Sequence, residues 1–551
     1  MKTQALVIRW MFIGLSLCLE DVFSQSLPDS VHQDWVVKYN SEFPNSLSFA
    51  TDIGIDPFKN VYVTGYSGAP PDYAFITVKY ASNGTRQWIA QYKNFGFSDH
   101  RAQALVVDSA GNVYVTGYSF GANTYVDYAT IKYNPDGIQQ WVARYSGSGG
   151  STDLPRAIAV DQKGNVYVTG ESFDTSQTWD YATVKYGADG AEKWVARYNG
   201  SGNSDDRASR LSLDSQGNVY VMGSSIGQGT QYDYALVKYD PPGNQQWVAR
   251  YNGNANGNDY AYAFAMDRLG HSYIAGVTAD TASFRGVTWT IAKFDASGVL
   301  QWTSGLAGIV DIWSGADPIA LALDDSLNIY VAGSSFSLGS RFDFLTLKFD
   351  PSGVLIWKRF YTYGTGSDRP VDMSLDSRGN IFVTGGSAGE HGGGFATLSY
   401  DRNGNVRWVA RLEGPEHSPI ASSALVVDNS GSIYVTGSGK GTMVTVKYSP
   451  LKPTNVVAEA KEAPEIHSLS QNFPNPFNPS TTIQFSLAAP GYASLKIYNT
   501  FGEEVATVVA SKLNAGRHIF KWDATGFASG VYLYRLQTES FVETRKLLFL
   551  Q

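Results

Sequence analysis

A tryptophan recurs along this chain at a nearly constant interval. It stands at Trp35, Trp88, Trp141, Trp194, Trp247, Trp302, Trp357 and Trp408, with gaps of 53, 53, 53, 53, 55, 55 and 51 residues. A period near fifty is the mark of a repeat architecture, in which each unit cannot bury its apolar faces alone and must stack on its neighbours. The unit is clearest in DYATIKYNPDGIQQWVARY, Asp127 to Tyr145. There YATIKY alternates small or apolar with polar positions, NPDG supplies turn chemistry and QWVARY alternates again, so the pair reads as a β-hairpin. A second hairpin lies upstream in ALVVDSAGNVYVTGYS, Ala104 to Ser119, where Asp108 opens and Gly111-Asn112 closes a tight turn between two valine-rich runs. Each repeat is therefore four strands.

Small four-stranded sheets that bury both faces against neighbouring sheets are the blades of a β-propeller. Asp-turns occur at Asp56, Asp108, Asp161, Asp214, Asp267, Asp324, Asp376 and Asp428, which gives eight units. The last unit ends at MVTVKYSP with no tryptophan strand after it, whereas DWVVKYN, Asp34 to Asn40, precedes the first Asp-turn as an outer strand without a sheet. The expected fold is all-β. It is an eight-bladed β-propeller over residues 31–448, four strands to a blade, with the N-terminal strand closing the last blade.

At the residue level these repeats resemble the SBBP-type β-propeller repeat family, whose units read D-x-x-GNVYVTG followed by DYATVKY and a tryptophan strand. GNVYVTG stands at Gly111 to Gly117 and Gly164 to Gly170, and GNVYVMG at Gly217 to Gly223. The fifth unit departs most, with RLGHSYIAG and TWTIAKF, and the seventh has Gly394-Phe395 in place of Asp-Tyr. The resemblance implies a propeller and an extracellular setting, and no particular chemistry. That family is often drawn with seven blades; the count here is eight.

If the ALVVD strand is innermost, the Asp-turn and the NPDG turn share one rim and the two longer connections share the other. The long-connection rim gathers SFGANTYV, SFDTSQTW and SIGQGTQY, and the segments between blades GSGGSTDL, GSGNSDD and GNANGND. Aromatic side chains among Asn, Ser, Thr and Gly stack on and hydrogen-bond to sugars or peptides, so Tyr125, Phe173, Trp179 and Tyr232 are the candidate ligand-binding residues. The bland alternative is aromatic caps on the ends of hairpins. The recurrent tryptophans read as packing between blades, and the recurrent aspartates as turn chemistry.

No catalytic constellation emerges. GYSFG (Gly117 to Gly121) and GSSIG (Gly223 to Gly227) match the G-x-S-x-G pattern, but each ends a repeated strand and no helix follows. The seven histidines have no metal-binding spacing and no recurrent position. No metal, cofactor or catalytic residue is assigned, and the reading is non-enzymatic. The alternative is an extracellular enzyme, hydrolase or quinoprotein-like, with a site built from non-repeated loops; NPDGIQQW is similar to the tryptophan-docking repeats of eight-bladed quinoprotein dehydrogenases. The discriminating observation is whether Asp99, Asp153, Asp206 and Asp368 converge. A net charge of -8 argues against nucleic acid or an anionic membrane as partner, since both require a basic patch.

Residues 1–24 read as a secretory signal, with Lys2 and Arg9 ahead of the apolar MFIGLSLCL, too short to span a bilayer. Cys18 is the sole cysteine, so the mature chain is expected to have no disulfide; separately, no transmembrane segment is expected in it. Residues 449–468, with three prolines and mixed charge, read as a linker. Residues 469–551 hold short alternating runs separated by Gly, Pro and Asn, expected to form a small immunoglobulin-like β-sandwich. QNFPNPFNPSTTIQFSL, LKIYNTFGEEVATVV, AGRHIFKWDATGFASGVYLYRLQT and ETRKLLFLQ resemble a type A sorting domain of the type IX secretion system. Asn475, Pro476, Gly502, Gly530, Val531, Tyr532 and Lys546 fall on its motif positions. The resemblance implies the secretion machinery and its sortase as partners. It also implies release from, or display on, the outer membrane of a Gram-negative bacterium.

Overall fold

The computed structural model describes residues 31–41, 45–94, 99–121, 124–148, 150–279, 287–310, 317–337, 341–364, 366–389, 392–414, 420–450, 466–472 and 475–550. The expected signal peptide and residues 451–465 of the expected linker lie outside them. All regular elements among the described residues are β-strands. The chain divides into two compact units between Leu451 and Lys452.

In the first unit the described residues form eight four-stranded antiparallel sheets in a blade-like arrangement. They begin, in chain order, with the inner strands Leu47–Ile55, His100–Val107, Asp153–Val160, Asp206–Leu213, Tyr260–Met266, Pro318–Leu323, Asp368–Leu375 and Ala421–Val427. Seven sheets are consecutive in sequence. The eighth takes its outer strand from the other end of the chain: Val31–Tyr39 pairs antiparallel with Thr442–Pro450, Trp35 opposite Lys447. That third strand runs through Pro450, past the expected boundary at Tyr448.

Burial follows strand position. The second strands, such as Val166–Phe173, and the third, such as Trp179–Tyr186, are almost wholly buried because a sheet lies against each face. Outer strands such as Glu192–Tyr198 are less buried, with Glu192, Lys193 and Val195 exposed and Ala196 and Tyr198 buried. Apolar layers fill the spaces between neighbours, one of them joining Tyr39, Tyr434 and Met443 of the eighth sheet to Ile53, Val63 and Ile76 of the first. Buried threonine pairs tie second to third strands, as at Thr169 Oγ1 to Thr183 Oγ1, 2.9 Å.

Two contacts each recur at seven of the eight seams between sheets. The outer-strand tryptophan lies on the turn glycine of the following sheet: a Cβ on Gly190, whose φ is +81°, would sit 2.6 Å from the Trp141 ring. The Trp141 indole also donates to Ala188 O at 3.0 Å. Trp35 makes the same contact on the first sheet, with its ring against Gly84 and its indole donating to Ser82 O at 3.1 Å. Second, a third-strand aromatic covers the glycine of the VYVTG strand ahead of it; a Cβ on Gly170 would lie 2.8 Å from the Tyr128 hydroxyl. The repeated Asp is turn chemistry. Asp161 Oδ1 accepts the amides of Lys163 and Asn165, and Oδ2 accepts the Asn165 side chain and the Tyr167 hydroxyl.

The second unit packs two sheets about one core. Ser468–Leu469, Ser480–Leu487 and Gly516–Asp523 form one, and Glu504–Leu513, Gly491–Tyr498, Gly530–Gln537 and Val542–Phe549 the other. Phe485, Leu495, Trp522, Tyr534 and Phe549 lie in the core between them. Among the described residues no helix is long and apolar enough to cross a membrane.

Candidate functional site

Three of the four rim aromatics meet. Phe173, which ends a second strand, stands in register with Trp179, which opens the third, and the rings make a T-shaped pair with centroids 5.2 Å apart. Arg207, near the start of the fourth sheet's inner strand, places its guanidinium 5.7 Å from the Trp179 ring. Its Nε donates to the Tyr232 hydroxyl at 3.3 Å and its Nη2 to Asp205 at 3.2 Å, and Nη1 lies 3.5 Å from Glu171. Tyr232 also donates to Asp205 and packs on Tyr260, centroids 5.2 Å apart. Burial pushes the Tyr232 phenol up, so it stays a protonated donor at neutral pH. Tyr125 does not join: it is 67% exposed, with no ring or cation contact among the described residues.

Arg207 lies on a strand, outside the aromatic-bearing connections that mark the rim in the sequence. The signal was there in SDHRA, SDDRA and GSDRP, each of which puts an arginine at the start of an inner strand. Arg101 lies 4.8 and 5.1 Å from the rings of Tyr66 and Tyr73 and pairs with Asp99 at 2.8 Å. Arg369 lies 3.4 Å over Phe342. The rim thus carries several places where an aromatic face, a guanidinium and a nearby carboxylate stand together, a combination suited to stacking and hydrogen-bonding a polar ligand.

The carboxylates singled out in sequence do not form a pair. Asp99 is held by Arg101, Asp153 accepts the Gly147 amide, Asp206 the Gly200 amide, and Asp368 the Tyr363 amide and the Ser387 hydroxyl. Beside the buried ones runs a repeated arginine network. Arg144, Arg197 and Arg250 each reach a tyrosine of the preceding sheet, a serine and an aspartate of their own.

Burial pushes Asp153, Asp206 and Asp259 up to about 6. A carboxyl whose pKa is raised by folding stabilises the fold while protonated, below about pH 4, and loses that contribution as pH rises through 6. The turn aspartates act in a different window. Burial opposes ionisation of Asp161, but hydrogen bonds from Asn165 and nearby amides prevail and hold it low, so its contribution is lost only on acidification below about pH 4. Asp206→Asn should therefore gain stability relative to the parent between pH 4 and 7, by on the order of 2 kcal/mol in urea titrations. Parallel stability profiles for parent and variant over that range would disprove the assignment.

A further set of charges stands apart. After the bulge of each inner strand the register position is alanine in five sheets (Ala104, Ala157, Ala263, Ala320, Ala424) but Asp52, Arg210 and Asp372 in the others. Asp52 accepts the Leu105 amide at 2.8 Å and Asp372 the Leu425 amide at 2.9 Å, so each staples its inner strand to the next sheet's. Burial raises Asp52 to about 7 and Asp372 to about 6. No cluster of three or more His, Cys, Asp or Glu fit to hold a metal occurs among the described residues.

In the second unit the sorting-motif residues take structural places. Asn475 Oδ1 accepts the Leu548 amide at 2.8 Å, and the Asn475 side chain also approaches the Lys546 carbonyl, which ties the first loop to the last strand. Pro476 follows Asn475 in that loop and Lys546 is exposed. Gly502 turns at φ +81° beside Phe501, which is 89% exposed. Gly530 and Val531 open the strand in which Tyr532 is buried, its hydroxyl donating to Ala528 O at 2.7 Å.

Two family models match the chain: a beta-propeller repeat at residues 38–70, 140–172 and 193–229, and a secretion system C-terminal sorting domain at 471–549. No curated protein matches it. Among solved structures, Sqt1 from Chaetomium thermophilum is similar at 10% identity over 76% of this chain and 99% of its own, TM-score 0.48. The polysaccharide lyase Uly1 is similar at 10% identity over 76% of this chain and 100% of its own, TM-score 0.40.

Proposed function

We propose that this chain, which carries SBBP β-propeller repeats and a type IX secretion sorting domain, is an exported binding scaffold that takes a glycan or protein ligand on its long-connection rim and performs no catalysis. In this reading the eight sheets are the blades of one ring closed by Val31–Tyr39, and the second unit is an immunoglobulin-like sandwich read by the secretion machinery and its sortase. The observation that carries the binding reading is the gathering of Phe173, Trp179, Arg207 and Tyr232, from two neighbouring sheets, into one polar and aromatic surface. Such groups bind by stacking and by hydrogen bonds that fix orientation.

On glycan and protein arrays, Trp179→Ala, Tyr232→Ala and Arg207→Ala should each weaken a parent signal by about tenfold or more while the melting temperature changes little. Intact binding together with strong destabilisation would mean that these side chains cap hairpins and that the site lies elsewhere. The second reading, an extracellular enzyme with a site of non-repeated residues, draws on Asp52, Arg210 and Asp372, which break the alanine pattern. Turnover of an array-positive glycan that is lost in Asp52→Asn would select it.

A further inference from the structure

In the closed ring proposed above, the eight inner strands surround one axis, each against the next and Ala421–Val427 against Leu47–Ile55. A side chain midway along such a strand has a sheet on either side and a second strand behind it, so it meets solvent only towards the axis. Arg210 is exposed there, and Asp52 and Asp372 are half-buried. They hold the register position that is alanine in the other five sheets. Round the ring, the first and seventh sheets flank the eighth, and the fourth stands opposite it. Two carboxylates therefore lie on one side of the axis and a guanidinium on the other.

Neither side is neutralised by contact. Arg210 Nη1 donates to Ser209 O at 3.1 Å, and among the described residues the guanidinium forms no salt bridge and no further hydrogen bond. Asp52 accepts the Ile53 amide at Oδ1 and the Leu105 amide at Oδ2, and Asp372 accepts the Met373 and Leu425 amides in the same way. Amides orient a carboxylate without cancelling its charge, and each oxygen keeps a second lone pair. Burial lowers the Arg210 pKa, Asp372 and Asp52 raise it, and the Arg156 guanidinium lowers it again, so Arg210 feels both carboxylates without touching either.

We infer, on the closed-ring reading, that Asp52, Arg210 and Asp372 bind a small zwitterion of the α-amino acid class in the central channel, its carboxylate on Arg210 and its ammonium towards the two aspartates. A guanidinium takes a carboxylate through two parallel hydrogen bonds. An ammonium group brings three donors to acceptors that are already held in place. Other classes of ligand leave charge unmatched. A simple anion would meet Asp52 and Asp372, a metal cation would meet Arg210, and a neutral sugar would leave all three charges uncompensated inside the protein.

Isothermal calorimetry of the purified chain with glycine, alanine, leucine, phenylalanine, glutamate and lysine tests the assignment. At least one should bind. Its methyl ester, which lacks the carboxylate, and its N-acetyl form, which lacks the ammonium, should each bind more weakly by about tenfold or more. Arg210→Ala installs the residue that five sheets already carry, so folding is safe, and it should weaken binding by about tenfold or more. Asp372→Asn, which keeps the size and an acceptor for the Leu425 amide, should weaken binding of the amino acid and not of its N-acetyl form. Trp179→Ala should leave binding unchanged. Binding of none of the six, equal binding of the N-acetyl form, undiminished binding in folded Arg210→Ala or Asp372→Asn, or loss of binding in Trp179→Ala overturns the assignment. The ring itself is tested apart from this, by the stability lost on deletion of residues 31–40.

Discussion

Deletion of residues 31–40 should make the first unit melt well below the intact chain or aggregate, the largest stability effect expected from so short a truncation. The strand it removes is the outer strand of the eighth sheet, paired from Val31 opposite Pro450 to Tyr39 opposite Met443. Its loss bares a row of unpaired amides and carbonyls along Thr442–Pro450, an edge open to other chains. It also removes Trp35 from the turn at Ser82 and Gly84, and Tyr39 and Val37 from the layer against the first sheet. Truncation of one large buried aromatic costs about 3–5 kcal/mol, and this deletion removes several apolar contacts together with a full ladder of hydrogen bonds. Urea denaturation followed by tryptophan fluorescence, with size-exclusion chromatography, gives the readout. A synthetic peptide of residues 31–40 added in trans should restore part of the loss. An unchanged midpoint and a monomeric elution volume would show that the strand is not needed to close the sheets.

The second large effect concerns export. Residues 449–551, placed behind a signal peptide and an unrelated fluorescent domain in a host with type IX machinery, should carry that domain to the surface or the medium. The second unit has a core of its own, built from both of its sheets, so it has the means to fold without the repeats. Asn475, which ties the first loop to the last strand through the Leu548 amide, is the point variant to add: Asn475→Ala should reduce export by loosening that loop. Periplasmic retention of the parent fusion, while a known cargo passes in the same cells, would refute the sorting role.

The strands themselves were legible because each follows from a local pattern. Alternation of period two gave the hairpins, and an aspartate five residues before a valine, with Gly-Asn between, marked the tight turn that Asp161 builds through its own neighbours' amides. The partner of Val31–Tyr39 was legible too, since a unit ending without its tryptophan strand and a tryptophan strand without its unit stood at opposite ends of the repeats. The packing role of Trp141 followed from its period, and the ring lies on Gly190 as packing requires.

Repetition determined the sheets because every copy solves the same packing problem, and eight near-copies make that pattern louder than any single residue. What the tertiary structure alone decided is where the copies differ and what those differences touch. Trp179 and Tyr232 looked alike in sequence to Tyr125, yet only they flank Arg207, because the neighbouring sheet's inner strand delivers that guanidinium between them. Ala74 and Gln91 stand at the register positions that Asp127 and Arg144 hold in the second sheet, where the arginine bridges to the preceding sheet. Such features depend on side chains from different strands and sheets arriving at one point. A local pattern carries no record of that, because contact between sheets is set by the packing of whole blades and not by the spacing of residues within one.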